Sequence, residues 1–334
     1  MINPAIRFPA IGAVETYDAG PVSAGPDQVV VETHWSLMSA GTELTCLHHR
    51  FAEDTHWSRF VRYPFFPGYS SAGVVVETGA QVANLKVGDR VAVRGKHARR
   101  VLIKAAAVNP VPDRVDLADA AWIGILKIVQ VAVRKVPHVL GDRVVVIGCG
   151  VLGLVLVQYL RRLGCETVIA IDTDVARCAA AEQHGATGVW TGTVATARTA
   201  VQAACDGGLP DVVYDVTGHP AVLPQALGLA RDFGTVVMLG DPGDPGSQRI
   251  SGDILARGVS LIGSHDSHTA APGDARDRWT APAMQAYLLR GLARGDLRVN
   301  DLVTHRFTPA AAPEAYALAA DAKRPHLGIL FDWR

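Results

Sequence analysis

Residues 143–154, RVVVIGCGVLGL, constrain the fold more tightly than any other stretch of the chain. A short β-branched run leads straight into Gly148, Gly150 and Gly153, and the residues after them read as a helix. In a Gly-x-Gly-x-x-Gly loop the first glycine allows a tight turn and the second lets the backbone approach a pyrophosphate. The third lets the helix pack closely on the strand, and the helix N-terminus offers amides and a partial positive charge. Cys149, Val151 and Leu152 complete this loop, and its plain alternative is a flexible turn. The context favours a dinucleotide. The next strand, TVIAID, ends at Asp172, about 20 residues on, where a carboxylate binds ribose hydroxyls. With Thr173 and Asp174 following, a 2′-phosphate would meet two carboxylates, which predicts NAD rather than NADP. Arg177 either answers a phosphate or pairs with Asp174.

From about residue 140 buried strands alternate with helices: RVVVIG, TVIAID, DVVYDVTG, TVVMLG and GVSLIGS. That rhythm predicts a doubly wound parallel sheet covered on both faces. Thr217 and Gly240, at the ends of two of these strands, join the expected cofactor-binding residues. The first third is strand-and-turn material, so the expected fold is α/β with a β-rich domain beside the parallel sheet. At 334 residues, 49% of them hydrophobic and 19% charged, the chain suits two globular domains. Lys+Arg and Asp+Glu both number 32, which argues against nucleic acid or an anionic membrane as partner. The expected partner is a small-molecule substrate. The opening MINPAIRFPAIGAVE carries no basic head before an apolar core, and the five cysteines form no CxxC. A cytoplasmic protein with reduced thiols is expected.

FPGYSSAGVVVETGAQVANLKVGDRVAV, residues 66–93, reads as two strands joined by a polar turn, with Tyr69, Ser70 and Ser71 at the mouth of the first. Together with SAGTE, GDRVVVIGCGVLG and THRF, it resembles the medium-chain dehydrogenase/reductase superfamily across nearly the whole chain. The resemblance implies a GroES-like catalytic domain (about residues 1–130 plus 271–334) around a Rossmann coenzyme domain (131–270), with the active site in the cleft. It also implies hydride exchange between a nicotinamide and a secondary alcohol or ketone. Joining of exposed sheet edges implies a homo-oligomer, a dimer or tetramer.

The departures from that pattern are specific. Zinc-dependent relatives carry Cys before Gly-Thr-Asp, where this chain has Ala40 in SAGTE. They carry Gly-His-Glu where this chain has Gly68, Tyr69 and Ser70, and the last ligand position falls among Ile123, Gly124 and Ile125. The four-cysteine structural zinc lobe is absent from VAVRGKHARRVLI. A catalytic zinc takes three protein ligands, so no metal is expected. Tyr69 then becomes a candidate acid/base, and a neighbouring cation would lower its pKa. Lys127, in the apolar GILKIVQ, is either that cation or a lysine reaching the surface. Thr42 matches a hydroxyl that relays protons in the zinc enzymes, or makes only a turn hydrogen bond, and Glu43 replaces the family Asp, either as an orienting group or as a local hydrogen-bond acceptor.

The substrate side is expected in LTCLHHRFAEDTHWSRFVRYPF, where His49, Trp57 and Arg62 are candidate contacts for an anionic or polyhydroxy ligand. The alternative is an amphipathic helix with Trp57, Phe60 and Val61 facing the core. GSHDSH follows the last strand, which makes His265 a reserve acid/base and His268 a substrate contact; His97, on a loop, reads as structural. The expected activity is a zinc-free, NAD-dependent dehydrogenase of a sugar, cyclitol or related polyol, phosphorylated or nucleotide-linked forms included. A hydroxyethyl-pigment (bacteriochlorophyllide-like) dehydrogenase and a non-catalytic NAD(H) sensor are the alternatives.

Overall fold

The ten-residue strand Gln28–Leu37 organises the β-rich part of the computed structural model, which describes residues 2–271, 273–274 and 277–334. Val29, Val30 and Val31 are buried on it, and both its edges are used. Ser71–Thr78 and Arg100–Lys104 pair with it antiparallel, as does Gly328–Asp332 from the C-terminal end of the chain. Arg90–Val93 pairs with Ser71–Thr78, so residues 66–93 hold the two strands read from the sequence. Val303–Phe307 and Asn109–Pro110 complete a seven-stranded mixed sheet.

The chain divides into two compact units: Met1–Lys127 with Ala270–Arg334, and Ile128–Thr269. The dividing line falls within the helix Ile123–Arg134. The first unit is the GroES-like domain and the second is the Rossmann domain.

The second unit is a six-stranded parallel sheet ordered Gly188–Thr191, Thr167–Asp172, Arg143–Ile147, Val212–Asp215, Thr235–Met238, Ser260–Gly263. Val144, Val145 and Val146 have no exposed surface, as a strand covered on both faces requires. The strand order reverses beside Arg143–Ile147, which places a ligand crevice at the C-terminal end of that strand. Gly188–Thr191 and the helix Val194–Ala204 carry no counterpart in the sequence reading. This edge strand is only partly buried, so its composition lacks the apolar run that marks the others. Among the described residues no helix is long and apolar enough to cross a membrane.

Candidate active site

In the Rossmann unit the glycine loop is built from backbone. Gly148 sits at φ +97°, where a side chain is strained, and a Cβ there would lie 3.0 Å from Thr217 Cγ2. Gly150 begins the helix Val151–Arg162 with no side-chain cap, and Leu154 N–H is the first to close on the Gly150 carbonyl, at 2.9 Å. The amides of Val151, Leu152 and Gly153 therefore lie ahead of the helical ladder, in the position that receives phosphate. A Cβ on Gly150 would meet nothing within 4 Å, whereas one on Gly153 would sit 1.9 Å from the Gly148 carbonyl oxygen. The loop has room where a pyrophosphate would approach and none where helix meets strand.

Asp172 ties this loop to the next strand. One carboxylate oxygen accepts the Cys149 N–H at 2.7 Å and the other the Asp174 N–H at 2.9 Å. Cys149 is buried, and burial pushes its thiol far up, so it is inert packing. Thr173 is exposed between the two carboxylates. Asp174 caps the helix Val175–Gln183, and the Arg177 guanidinium lies 3.9 Å from it, which is the pairing alternative for Arg177. Thr217 donates its N–H and hydroxyl to the buried Asp215 at 2.9 and 2.7 Å. Gly240 packs so closely that a Cβ would fall 2.3 Å from the Gly218 nitrogen. His265 and His268 lie side by side with rings 6.0 Å apart, and His265 Nδ1 is 2.7 Å from Ser267 Oγ. Both rings are exposed.

In the GroES-like unit Tyr69, Thr42 and Glu43 come together around Ser39. The Tyr69 hydroxyl donates to Ser39 Oγ at 2.5 Å and also bonds the Thr42 hydroxyl. Ser39 opens the helix Ala40–Leu47, yet its hydroxyl makes no cap. Glu43 serves that end instead, accepting the Ser39 N–H at 2.9 Å. The same buried carboxylate accepts from the Tyr316 hydroxyl and lies 3.2 Å from His97 Nε2. His97 Nδ1 is 2.7 Å from Ser36 Oγ, which also accepts the Trp333 indole N–H at 2.9 Å. His97 is thus a buried structural residue that holds Glu43.

Burial pushes the Tyr69 phenol up to about 12, while Ser39, Thr42 and the Arg94 guanidinium pull it back and Glu43 adds to the rise. Arg94 is the cation seen over this ring, 4.9 Å from its centroid. Lys127 is 4% exposed, which corrects the alternative of a lysine reaching the surface. Glu43 behaves oppositely. Burial alone would raise it, but His97, Tyr316 and the Ser39 amide outweigh burial and hold the carboxyl below its ordinary value.

Ser70 and Ser71 serve the fold. Ser70 Oγ donates to the Ala121 carbonyl at 2.6 Å and accepts the Gly124 N–H at 2.8 Å. Ser71 is fully buried and faces the Val93 carbonyl at 3.4 Å. Trp57 is corrected as a substrate contact: at 6% exposure it packs in the core with Leu47, Phe51 and Val61. Phe60 points outward instead, at 61% exposure. His49 adopts φ +53°, packs its ring tilted against Phe51 with centroids 4.2 Å apart and meets Glu53 at 3.1 Å. Arg62 is exposed, with its guanidinium on the Ser58 carbonyl.

The donor set does not fit a catalytic zinc. Ala40 offers a methyl group, the Ser70 hydroxyl is committed to backbone, and the Glu43 carboxylate is enclosed by its three partners.

Comparison with known proteins matches both units. The alcohol dehydrogenase GroES-like domain model matches residues 25–113, and the zinc-binding dehydrogenase model matches residues 151–281. L-threonine 3-dehydrogenase of Symbiobacterium thermophilum is 26% identical over 339 residues, covering 90% of each chain. Sorbitol dehydrogenase of Rattus norvegicus is 26% identical over 335 residues, covering 88% of this chain and 86% of its own. A candidate zinc-binding dehydrogenase of Sinorhizobium meliloti, solved with NADP bound, shares the fold over 99% of both chains, with a TM-score of 0.81 at 23% identity.

A GroES-like unit joined to a glycine-loop Rossmann unit defines a pyridine-nucleotide-dependent class of oxidoreductase. The chain belongs to the medium-chain dehydrogenase/reductase superfamily, whose matched relatives are dehydrogenases and reductases acting on alcohols.

Proposed function

We propose that the protein is a zinc-independent, NAD-dependent oxidoreductase that interconverts a secondary alcohol and a ketone on a sugar, cyclitol or related polyol. The observation that carries this reading is the hydroxyl cluster of Ser39, Thr42 and Tyr69, in which Tyr69 takes the place of a zinc-binding imidazole of the zinc-dependent relatives and Thr42 that of their proton-relaying hydroxyl. The sorbitol dehydrogenase relative supports a polyol substrate. Asp172 with Asp174 supports NAD, because both carboxylates would repel a 2′-phosphate.

When bound, NAD(H) supplies the hydride acceptor or donor. The first-turn amides of Val151–Gly153 would hold its pyrophosphate, and Asp172 would accept from ribose hydroxyls. Tyr69 handles the proton. A phenol titrating near 12 is neutral at physiological pH, so it serves best as an acid in ketone reduction. A secondary alkoxide is a stronger base than a phenolate, and proton transfer to it runs downhill. In the oxidation direction the phenolate form accepts the alcohol proton once the phenol's own proton has left to solvent, with Thr42 beside it.

The five described cysteines are all free and buried, in keeping with a cytoplasmic home. The exposed edge strand Ser260–Gly263 is the surface through which we place a homodimer or tetramer. A concentration-independent monomer mass in sedimentation would refute that assembly. For the activity, the test is turnover of NAD and NADP with a panel of polyols and sugar phosphates, alongside elemental analysis. Turnover with NAD and no stoichiometric zinc is expected. One tightly bound zinc per chain, needed for activity, would overturn the reading.

A further inference from the structure

We propose that Ser39 is a positioning residue for the proton-transfer step, acting on Tyr69 by giving its phenolic oxygen a hydrogen-bond partner in both protonation states. The inference rests on the reading of Tyr69 given above.

Three features of the helix start support it. A serine opening a helix ordinarily turns its oxygen onto the amides of the first turn. Ser39 does not, and its backbone angles of φ −94° and ψ 81° accompany a hydroxyl with no cap bond. The end of the helix is nevertheless satisfied, because Glu43 reaches back to the Ser39 N–H at 2.9 Å. Glu43 is itself fixed from the other side by His97 and Tyr316. The serine oxygen is thereby released from capping and lies 2.5 Å from the phenol.

With Tyr69 neutral, the phenol donates and Ser39 Oγ accepts. Once Tyr69 has given its proton to an alkoxide, the phenolate can only accept, and the serine hydroxyl has a proton to donate. Thr42 offers a second hydroxyl to the same oxygen. Ser39 therefore stabilises the state formed during proton transfer more than the state before it, which is the condition for raising kcat. Of the charged groups acting on Tyr69, Glu43 opposes ionisation and Arg94 favours it. Neither is altered by replacing the serine.

The test uses Ser39→Ala, Ser39→Cys and Ser39→Thr in the full-length protein. Near-ultraviolet titration of each, with the curve of the matching Tyr69→Phe protein subtracted, reads the ionisation of Tyr69 without any substrate. Ser39→Ala should move that ionisation to higher pH and lower kcat by about 10- to 100-fold, with KM little changed, as for one lost hydrogen bond to a charged oxygen. Ser39→Thr should restore both. Ser39→Cys keeps the volume with a weaker donor and should fall between, and it carries the test if the alanine variant does not fold. An unmoved Tyr69 ionisation, or a loss of kcat that threonine does not rescue, overturns the proposal. Normal turnover in Tyr69→Phe would remove the catalytic reading instead, while a shifted titration would still show the Ser39 contact.

Discussion

The glycine loop at 148–153 and the hydroxyl cluster at Ser39, Thr42 and Tyr69 achieve precision by opposite means. The loop works with backbone, and its accuracy comes from what is missing: no Cβ can be added at Gly153, 1.9 Å from a carbonyl oxygen. The cluster works with side-chain oxygens, and its accuracy comes from what surrounds them, down to a tyrosine 273 positions away that holds Glu43. Adding a carbon should therefore damage the first region, and removing an oxygen the second.

The largest stability effect is expected behind the cluster. Glu43→Ala leaves His97, Tyr316 and the Ser39 amide without their shared acceptor, and loss of one partner from a buried charged network costs about 3–5 kcal/mol. Chemical denaturation measures it, and a change below about 1 kcal/mol would mean that the network contributes little. The sign with pH also follows. Glu43 is held below its ordinary value of 4.5, so the folded chain binds fewer protons there than the unfolded chain. Its contribution is present above about pH 4.5 and is lost as pH falls through the lowered folded value. Glu43→Gln should flatten that acid slope.

A smaller but sharper contrast lies within the loop. Gly153→Ala forces a methyl against a carbonyl and should destabilise the Rossmann unit by about 1–3 kcal/mol. Gly150→Ala, with open space and φ −71°, should leave the melting temperature unchanged yet weaken NAD binding by calorimetry. Equal melting losses in the two variants would contradict the division into a packing glycine and a binding glycine.

Smaller still is the coenzyme preference. Asp172→Ser should shift the NAD-to-NADP ratio of kcat/KM towards NADP by about tenfold, the worth of one charge contact near the surface. Because Asp172 also holds the Cys149 amide, some loop stability should go with it. A wild type that already prefers NADP would contradict the assignment.

The two regions also differ in how far their sequences betray them. Gly148, Gly150 and Gly153 were legible because a turn, a close approach and a helix start each demand glycine at a fixed interval. The strand pair in residues 66–93 was legible from its apolar runs. Ser39 was not, because a serine at a helix start reads as a cap, and its release depends on Glu43 being fixed from elsewhere in the fold. Arg94 was not legible, since a cation in an apolar run such as Lys127 stands out in sequence and one that reaches an aromatic ring through the fold does not. Trp57 was evenly poised between a substrate contact and the core in a segment mixing charges with aromatics, and in the fold it packs with Phe51 and Val61.

The central claim is that a side-chain hydroxyl manages the proton without zinc. Turnover of the chelator-dialysed wild type beside dialysed Tyr69→Phe, with NADH and the best ketone substrate, tests it most directly. The account predicts full activity in the dialysed wild type and a kcat lower by about 10²–10⁴-fold in the variant, with NADH binding intact. A dialysed wild type that works only after zinc is returned, with Tyr69→Phe turning over normally, would contradict it.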